Sequence, residues 1–121
     1  MSTDPQTLQW QVYGLRHCDS CRLARKWLEA YEVPYRFYDV RDDGLDADTL
    51  RGWLDSAQGS RLLNRRSATW RQLTDDQKAA CERDPLALLL QHPTLLKRPV
   101  ITDGQAVLAV GYSPAVLEGL V

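Results

Sequence analysis

The chain has 121 residues, of which 44% are apolar and 26% are charged, and its formal net charge is -1. This length predicts a single domain over residues 1–121 with an apolar core large enough to need no metal or disulfide. The near-neutral charge argues against the broadly basic surface typical of proteins that bind nucleic acid directly.

The N-terminal segment and the apolar runs bear on location. Residues 1–9 are polar and lack the basic and apolar stretches of a signal peptide, so we expect them to be frayed. No apolar run approaches the roughly 20 residues that cross a bilayer. The sequence therefore predicts a cytoplasmic protein without a membrane partner, in which three cysteines are not expected to form a disulfide scaffold.

Two predicted strands flank a predicted helix in the first third of the chain. Trp10–Gly14 combines aromatic and β-branched residues and closes with glycine, and Tyr35–Val40 alternates and is rich in aromatic residues. The helix is expected to begin near Cys18 and to end before Pro34, because the residue before proline avoids helical geometry. Its apolar stripe is predicted to be Leu23, Trp27, Leu28 and Tyr31. The order is that of a βαβ unit.

A helical insert is predicted over residues 45–95. Asp46 is expected to cap a helix, and Thr74 with Gln77 has the pattern of a capping box that opens a second helix ending near Arg83. The buried face of the first helix is predicted to be Leu50, Trp53, Leu54 and Ala57.

The insert is expected to close with a third helix. Asp84 followed by Pro85 has the pattern of an N-cap and a first helical position, and this helix should end at His92. Its buried residues are predicted to be Leu86, Leu89 and Leu90.

The C-terminal part of the chain predicts a hairpin and a helix. Val100–Thr102 and Ala106–Val110 read as strands that flank Asp103–Gly104, a strong hairpin signal. Ser113–Pro114 is expected to start a last helix that reaches about Leu120. The predicted fold class is therefore α/β, with a mixed sheet in the order βαβ, helical insert, ββα.

Cys18 and Cys21 lie three residues apart between the first strand and the first helix. A zinc site needs four ligands, and the other candidates are Cys81, His92 and His17, which adjoins Cys18 too closely for joint coordination. The two cysteines are otherwise either small packed residues or a reactive pair. Their place after a strand and before a helix favours the reactive pair.

The reactive interpretation assigns each sulfur a role. Free N–H groups and the dipole at a helix N-terminus stabilise a thiolate, and Arg16 and Arg22 lie nearby in sequence. Cys18 is then the exposed nucleophile, and Cys21, one turn later, is the resolving thiol that attacks a mixed disulfide. His17 either tunes Cys18 or is an exposed loop residue.

A proline after a basic pair supports this interpretation. Pro99 opens a predicted strand directly after Lys97 and Arg98. In thioredoxin-like folds a cis-proline lies at this position and faces the cysteine loop. A likeness to these folds implies that Arg98 lies beside the sulfur of Cys18, where a guanidinium stabilises a thiolate or holds an anion.

Several stretches together resemble the arsenate-reductase-like family, which includes the ArsC, Spx and YffB-type proteins. They are Tyr13–Leu28, Pro34–Asp46, Leu62–Leu73, Leu89–Ile101 and Val110–Pro114, in the order of that family. The resemblance is closest to the YffB-type branch. It implies a thioredoxin-like sheet with a helical insert, with Cys18 as the active cysteine and Arg98 as an arginine beside it.

The chain departs from the arsenate reductases of this family at three positions. Gly14 stands where they have a histidine, Asn64 stands where they have an arginine, with Arg65 adjacent, and Gly111–Tyr112 provides no third arginine. With two of three anion-binding arginines absent, we expect arsenate to be held poorly. The candidate binding residues are Asn64, Arg65, Pro99 and His17.

The resemblance leaves two functions open. The first is a thiol reductase with no bound cofactor or metal, which uses glutathione or a thioredoxin-type protein as its reductant. The second is an Spx-type regulator, in which the cysteine pair is a redox switch and the partner is RNA polymerase. Arsenate reduction is the less expected third alternative.

Other residues have both a plain and a functional interpretation. Cys81 is either a third redox thiol or a packed core residue. The basic run Arg61, Arg65, Arg66 and Arg71 is either a solvated face or a surface that binds glutathione or an acidic partner. His92 is expected to mark a helix end. Trp10, Trp53 and Trp70 are predicted to lie in the core.

Overall fold

The computed structural model describes residues 9–121, so residues 1–8 of the segment predicted to be frayed lie outside it. In the described part, no helix combines the length and the apolar character that crossing a membrane requires.

A four-stranded mixed sheet organises the described residues. Its strands are β1 (Trp10–Gly14), β2 (Tyr35–Asp39), β3 (Val100–Thr102) and β4 (Val107–Val110), in the spatial order β2-β1-β3-β4. β1 pairs parallel with β2 and antiparallel with β3, and β3 pairs antiparallel with β4. This confirms the predicted α/β class with a mixed sheet.

Within residues 9–121, six α-helices accompany the sheet. They are α1 (Asp19–Ala30), α2 (Ala47–Asp55), α3 (Ala68–Gln72), α4 (Asp75–Arg83), α5 (Leu86–Gln91) and α6 (Pro114–Leu120). Two short 3-10 helices, Gly59–Arg61 and Pro93–Leu95, lie among the four helices between β2 and β3. The parallel strands β1 and β2 are therefore joined through α1, as the βαβ pattern predicted.

Alternate strand residues face two different apolar clusters, because successive side chains of a strand point to opposite faces of the sheet. Val12 and Ile101 belong to the smaller cluster, which includes residues of α1 and α6. Val100 and Val110 belong to the larger one, built mainly by the helices between β2 and β3. Both faces of the sheet are thus covered in this region.

The buried face of α1 differs from the predicted stripe. Trp27 and Leu28 are buried as expected, but Leu23 is 50% exposed and Tyr31 is 53% exposed. The face that meets the sheet consists of Cys21, Ala24, Trp27 and Leu28. The prediction was wrong here because it sought large apolar residues, whereas a small alanine and a cysteine allow close approach to the sheet.

The predicted caps of two helices are confirmed. Asp46 accepts a hydrogen bond from the Thr49 backbone N–H at the start of α2, and Thr74 and Gln77 form both bonds of a capping box before α4. The buried face of α2 contains Leu50 and Trp53, as predicted, whereas Leu54 is partly buried and Ala57 lies beyond the helix and is exposed.

The start of α5 lies one residue later than predicted. Pro85 is the N-cap, and Asp84 ends α4 while its carboxylate accepts a hydrogen bond from the Leu86 N–H at 3.2 Å. Leu88 and Leu89 are buried, whereas Leu86 and Leu90 are only partly buried. Leu89 is therefore buried as predicted, whereas Leu88 and not Leu86 or Leu90 is the second buried leucine.

The hairpin between β3 and β4 is confirmed, with β4 starting at Val107 rather than at Ala106. The Asp103 carboxylate accepts hydrogen bonds from the N–H groups of Gln105 and Ala106 at 2.9 and 2.8 Å. Gly104 has φ +98, a left-handed conformation that glycine adopts without a Cβ clash. Ser113 caps α6 as predicted.

The three tryptophans predicted to lie in the core differ in burial. Trp53 is buried, whereas Trp10 and Trp70 are partly buried and pack against the smaller and the larger cluster, respectively. Trp70 also receives the cations of Arg65 and Lys78 within 6 Å of its ring centre.

Candidate functional site

Cys18 is the N-cap residue of α1, directly after the loop that follows β1. Its backbone is extended, with φ -96 and ψ 127, and its carbonyl oxygen accepts the Arg22 N–H at 2.9 Å. No side-chain cap occupies the first turn of the helix. The sulfur of Cys18 therefore sits at the helix end where free N–H groups and the macrodipole favour negative charge.

The surroundings of Cys18 lower its pKa. Partial burial of the sulfur opposes ionisation, but the backbone N–H and the thiol of Cys21, together with the Arg98 guanidinium, favour the thiolate more strongly. The net result is a pKa below that of an ordinary thiol. A larger fraction of Cys18 is therefore nucleophilic thiolate at neutral pH.

Cys21 has the opposite character. Its side chain is buried in the first turn of α1, and burial together with the neighbouring Cys18 raises the pKa of Cys21 to about 12. The Cys21 sulfur packs on Gly14, the last residue of β1, where a Cβ would lie only 2.3 Å from Sγ. Gly14 thus leaves the space that the Cys21 sulfur fills.

Arg98 also lies beside the Cys18 sulfur. Its Nη1 donates to the Thr94 carbonyl at 3.2 Å, whereas its buried Nε has no hydrogen-bond partner among residues 9–121. The Arg98–Pro99 peptide is cis, and Pro99 is buried just before β3. The cis bond expected from the likeness to thioredoxin-like folds is thus present.

Two clefts meet at Cys18 and Arg98. The first, here called the mixed-charge cleft, has a volume of about 430 Å³ and is further lined by Leu15, Arg16, His17, Asp39, Arg41 and Asp42. The second, here called the cationic cleft, has a volume of about 300 Å³ and is further lined by Ser20, Arg61, Asn64, Lys97, Val110, Gly111, Tyr112 and Ser113. Cys18 is accessible from both sides.

Asp39 organises the wall of the mixed-charge cleft. Its buried carboxylate accepts hydrogen bonds from the backbone N–H groups of Arg16, Arg41 and Asp42 at 2.9–3.0 Å. Burial alone would raise the pKa of Asp39, but these bonds and the Arg16 charge lower it. Asp39 therefore fixes the loop between β1 and Cys18 to the end of β2. The sequence analysis had not identified Asp39 as a site residue.

The cationic cleft contains more positive charge than the match to the family's three arginine positions indicated. Asn64 and Gly111 line it without charge, as expected, but Arg61 and Lys97 line it together with Arg98. The sequence analysis matched only Arg98 to the family's three anion-binding arginines, and Arg61 and Lys97 add positive charge from other positions. The family's third arginine position falls at Gly111–Tyr112, which carries no charge. Lys97 lies elsewhere in the sequence, but its side chain passes over Gly111, so a comparison of positions could not identify it.

The other candidate residues are dispersed. Arg65 does not line either cleft and instead makes a bidentate ion pair with Glu82, with N–O distances of 2.6 and 2.8 Å. Arg71 donates to the Arg66 carbonyl. Of the basic run, Arg61 lines the cationic cleft, whereas Arg65, Arg66 and Arg71 do not. His17 is exposed at the rim of the mixed-charge cleft.

Cys81 lies apart from this site. It is buried in α4 as part of the larger apolar cluster, and burial, assisted by Glu82, raises the pKa of its thiol. His92 marks the end of α5. Among residues 9–121, no group of three or more His, Cys, Asp or Glu side chains is placed to hold a metal ion.

Comparison with known proteins places this arrangement in a family. A model of the ArsC family matches residues 13–120. A Haemophilus influenzae protein of uncharacterised function is 38% identical over 105 residues, covering 80% of this chain and 87% of that protein. The global transcriptional regulator Spx of Listeria innocua is 31% identical over 104 residues, covering 84% of this chain and 79% of that protein.

The solved structures agree with these matches. A protein named YFFB is 34% identical and superposes with a TM-score of 0.83, covering 92% of this chain and 97% of that one. The fold is therefore thioredoxin-like, as expected from the sequence, and of the type found in thiol oxidoreductases. The chain belongs to the ArsC family.

Proposed function

We propose that the chain is a thiol–disulfide oxidoreductase in which Cys18 is the nucleophile and Cys21 the resolving thiol. The observation that supports this most is that two thiols at one helix end have pKa values shifted in opposite directions. Cys18 has a lowered pKa at the N-cap of α1, and the buried Cys21 has a pKa of about 12 one turn later. Neighbouring groups whose pKa values are pushed apart are suited to different roles in a reaction.

The reaction proceeds in two exchange steps. The Cys18 thiolate attacks one sulfur of a substrate disulfide, forms a mixed disulfide and releases the other half as a thiolate, which takes a proton from solvent. Cys21 then loses its proton to solvent and attacks the Cys18 sulfur. The second half leaves as a thiolate, and the protein holds a Cys18–Cys21 disulfide.

An external thiol must return the protein to its reduced form. We propose glutathione or a thioredoxin-type protein for this step, acting in the cytoplasm, where thiol reductants keep cysteines reduced. The reductant gives two electrons, becomes a disulfide itself and restores both thiols. Arg98 stabilises charge on the Cys18 sulfur in each step, and Asn64, His17 and Pro99 line or flank the site. Arg65, paired with Glu82, has no contact role in this scheme.

Turnover of a disulfide with glutathione as donor tests the proposal. After subtraction of the uncatalysed rate, we expect turnover by the wild type and by Cys81→Ser, and none by Cys18→Ser. Cys21→Ser should stop after the first step and accumulate a mixed disulfide on Cys18, visible as a mass increase. Undiminished turnover by Cys18→Ser would refute the proposed nucleophile.

A second candidate function is a redox-switched regulator, since one relative is the global transcriptional regulator Spx. In this case the Cys18–Cys21 disulfide would change binding to RNA polymerase rather than complete a catalytic cycle. Binding of purified RNA polymerase to the reduced and oxidised chain would reveal it. Redox-dependent binding without turnover supports the regulator, whereas turnover without binding supports the oxidoreductase.

A further inference from the structure

We infer that the cationic cleft is a carboxylate-binding subsite and that the chain acts on small disulfides carrying a carboxylate near the sulfur. This inference rests on the proposed oxidoreductase function and names its substrate class. Its basis is the convergence of Arg61, Lys97 and Arg98 on a cleft of about 300 Å³ that opens on the Cys18 sulfur.

The charge of the cationic cleft is not balanced within the described structure. No carboxylate is among its lining residues. Arg16 lies within 4 Å of three aspartates and Arg65 binds Glu82. By contrast, Arg61, Lys97 and Arg98 form no ion pair within residues 9–121 although they line one cleft. Three like charges brought together repel one another, so an anion in the cleft is favoured.

The backbone holds Lys97 in this position. Its N–H donates to the Leu62 carbonyl at 2.7 Å, and its side chain crosses Gly111, where a Cβ would lie 3.2 Å from the Lys97 Cε. Gly111 itself has φ +86, a conformation that disfavours other residues. Gly111 therefore supplies both the turn and the space that bring Lys97 to the cleft.

The volume of the cationic cleft leaves room for an organic anion larger than a tetrahedral oxyanion. Its volume of about 300 Å³ is at the lower end of the range for small-molecule sites and exceeds what one oxyanion fills. Arg61 already donates one N–H to the Gln58 side chain at 3.2 Å, which leaves part of its guanidinium for a ligand. A carboxylate in the cleft would hold one half of a disulfide against the Cys18 sulfur.

The half held in the cleft is the half that becomes bonded to Cys18. The Cys18 thiolate attacks the sulfur of that half, the substrate S–S bond breaks, and the other half leaves and is protonated by solvent. Cys21 then loses its proton to solvent and displaces the bound half as a thiolate, leaving the Cys18–Cys21 disulfide. Glutathione or a thioredoxin-type dithiol supplies the two electrons that complete the cycle.

The test compares three small disulfides that differ in charge. The rate of oxidation of the reduced protein is measured with 3,3′-dithiodipropionate, which is anionic, with bis(2-hydroxyethyl) disulfide, which is neutral, and with cystamine, which is cationic. We expect the anionic disulfide to react roughly three- to tenfold faster than the neutral one and cystamine to be slowest. Lys97→Gln and Arg61→Gln should each lower the ratio of the anionic to the neutral rate.

Lys26→Gln is the matched control, because Lys26 is exposed on α1 and lines neither cleft. It should leave the ratio unchanged. Rising salt should lower the wild-type ratio without any substitution, since screening weakens the carboxylate contacts, and this keeps the test valid if a variant fails to fold.

The outcomes separate the inference from the function on which it rests. If no disulfide oxidises the protein, the proposed function fails. If all three react at equal rates, or if Lys97→Gln slows them equally, the oxidoreductase stands and the carboxylate subsite is refuted. If millimolar arsenate or phosphate protects Cys18 while the three disulfides remain indistinguishable, the cleft is an oxyanion site and the inference is overturned.

Discussion

Cys18 and Cys81 each lie near an arginine, yet the pKa values of the two thiols are shifted in opposite directions. At the N-cap of α1, Arg98 has no carboxylate partner within residues 9–121, and the pKa of Cys18 is lowered. Cys81 lies in α4, where the neighbouring Glu82 binds Arg65; the Cys81 sulfur is buried and its pKa is raised. A nearby arginine therefore does not activate a thiol unless its charge is free and the helix presents N–H groups to the sulfur.

The largest expected effect is a difference in reactivity between the two regions. With iodoacetamide at pH 7, Cys18 should be alkylated at least ~100-fold faster than Cys81, because reaction requires both a thiolate and access to it. Mass spectrometry of digested peptides after short exposure measures both rates in one sample. Equal labelling of the two cysteines would remove the basis of the comparison.

Gly14→Ala tests the contact between Gly14 and the Cys21 sulfur, which has no counterpart described around Cys81. The added Cβ would lie 2.3 Å from the Cys21 sulfur, so the substitution should lower the free energy of unfolding by about 1–3 kcal/mol. Urea denaturation of the reduced protein measures this change. The matched control is Gly52→Ala in α2, where no atom lies within 4 Å and a gain of roughly 0.5–1 kcal/mol is expected. A neutral result at Gly14 would show that the sulfur moves freely.

Arg98→Met should raise the pKa of Cys18 and slow its reaction in mildly acidic solution. The alkylation rate rises with pH as the thiol ionises, and a lowered pKa places the midpoint below that of free cysteine. Removal of the guanidinium should move the midpoint to higher pH and reduce the rate at pH 6 by about tenfold, as expected for the loss of one charge-assisted hydrogen bond.

The same alkylation profile in Arg65→Met is the control for Arg98→Met. Because Arg65 lines neither cleft with Cys18, its loss should leave the midpoint in place. A shift of similar size in both variants would mean that the general positive charge of the protein, not Arg98 itself, sets the ionisation of Cys18.

The smallest effect is expected from freeing the arginine beside Cys81. Glu82→Gln removes the partner of Arg65, yet the alkylation rate of Cys81 should rise less than about twofold, since burial is the first cause of its raised pKa. Labelling under the conditions used for Cys18 measures the change. A rise toward the rate of Cys18 would instead identify the ion pair as the factor that keeps Cys81 unreactive.

The caps and turns could be predicted because their signals are local. Asp46, Thr74 and Ser113 each bond to a backbone N–H three residues later, so sequence neighbours contain the whole interaction. The Asp103–Gly104 turn is local in the same sense. The N-cap position of Cys18 follows from the same kind of signal, a strand that ends shortly before a helix begins.

The face of α1 shows where local signals fall short. Periodicity predicted an apolar stripe through Leu23 and Tyr31, but the sheet receives Cys21 and Ala24 instead. The choice depends on how closely the helix approaches Gly14 in β1, and sequence spacing within the helix carries no information about that distance.

The sequence by itself determined the order of the four strands, that of the α-helices other than α3, and the Cys18–Cys21 spacing, because each depends on residues near one another in the chain. Only the tertiary structure decided that Arg61 and Lys97 line the cleft next to Cys18 while Arg65 does not. The physical reason is that side chains meet through the packing of β1, β3 and the helices between them. A charge acts on a sulfur according to its distance in space and whether another charge has already neutralised it.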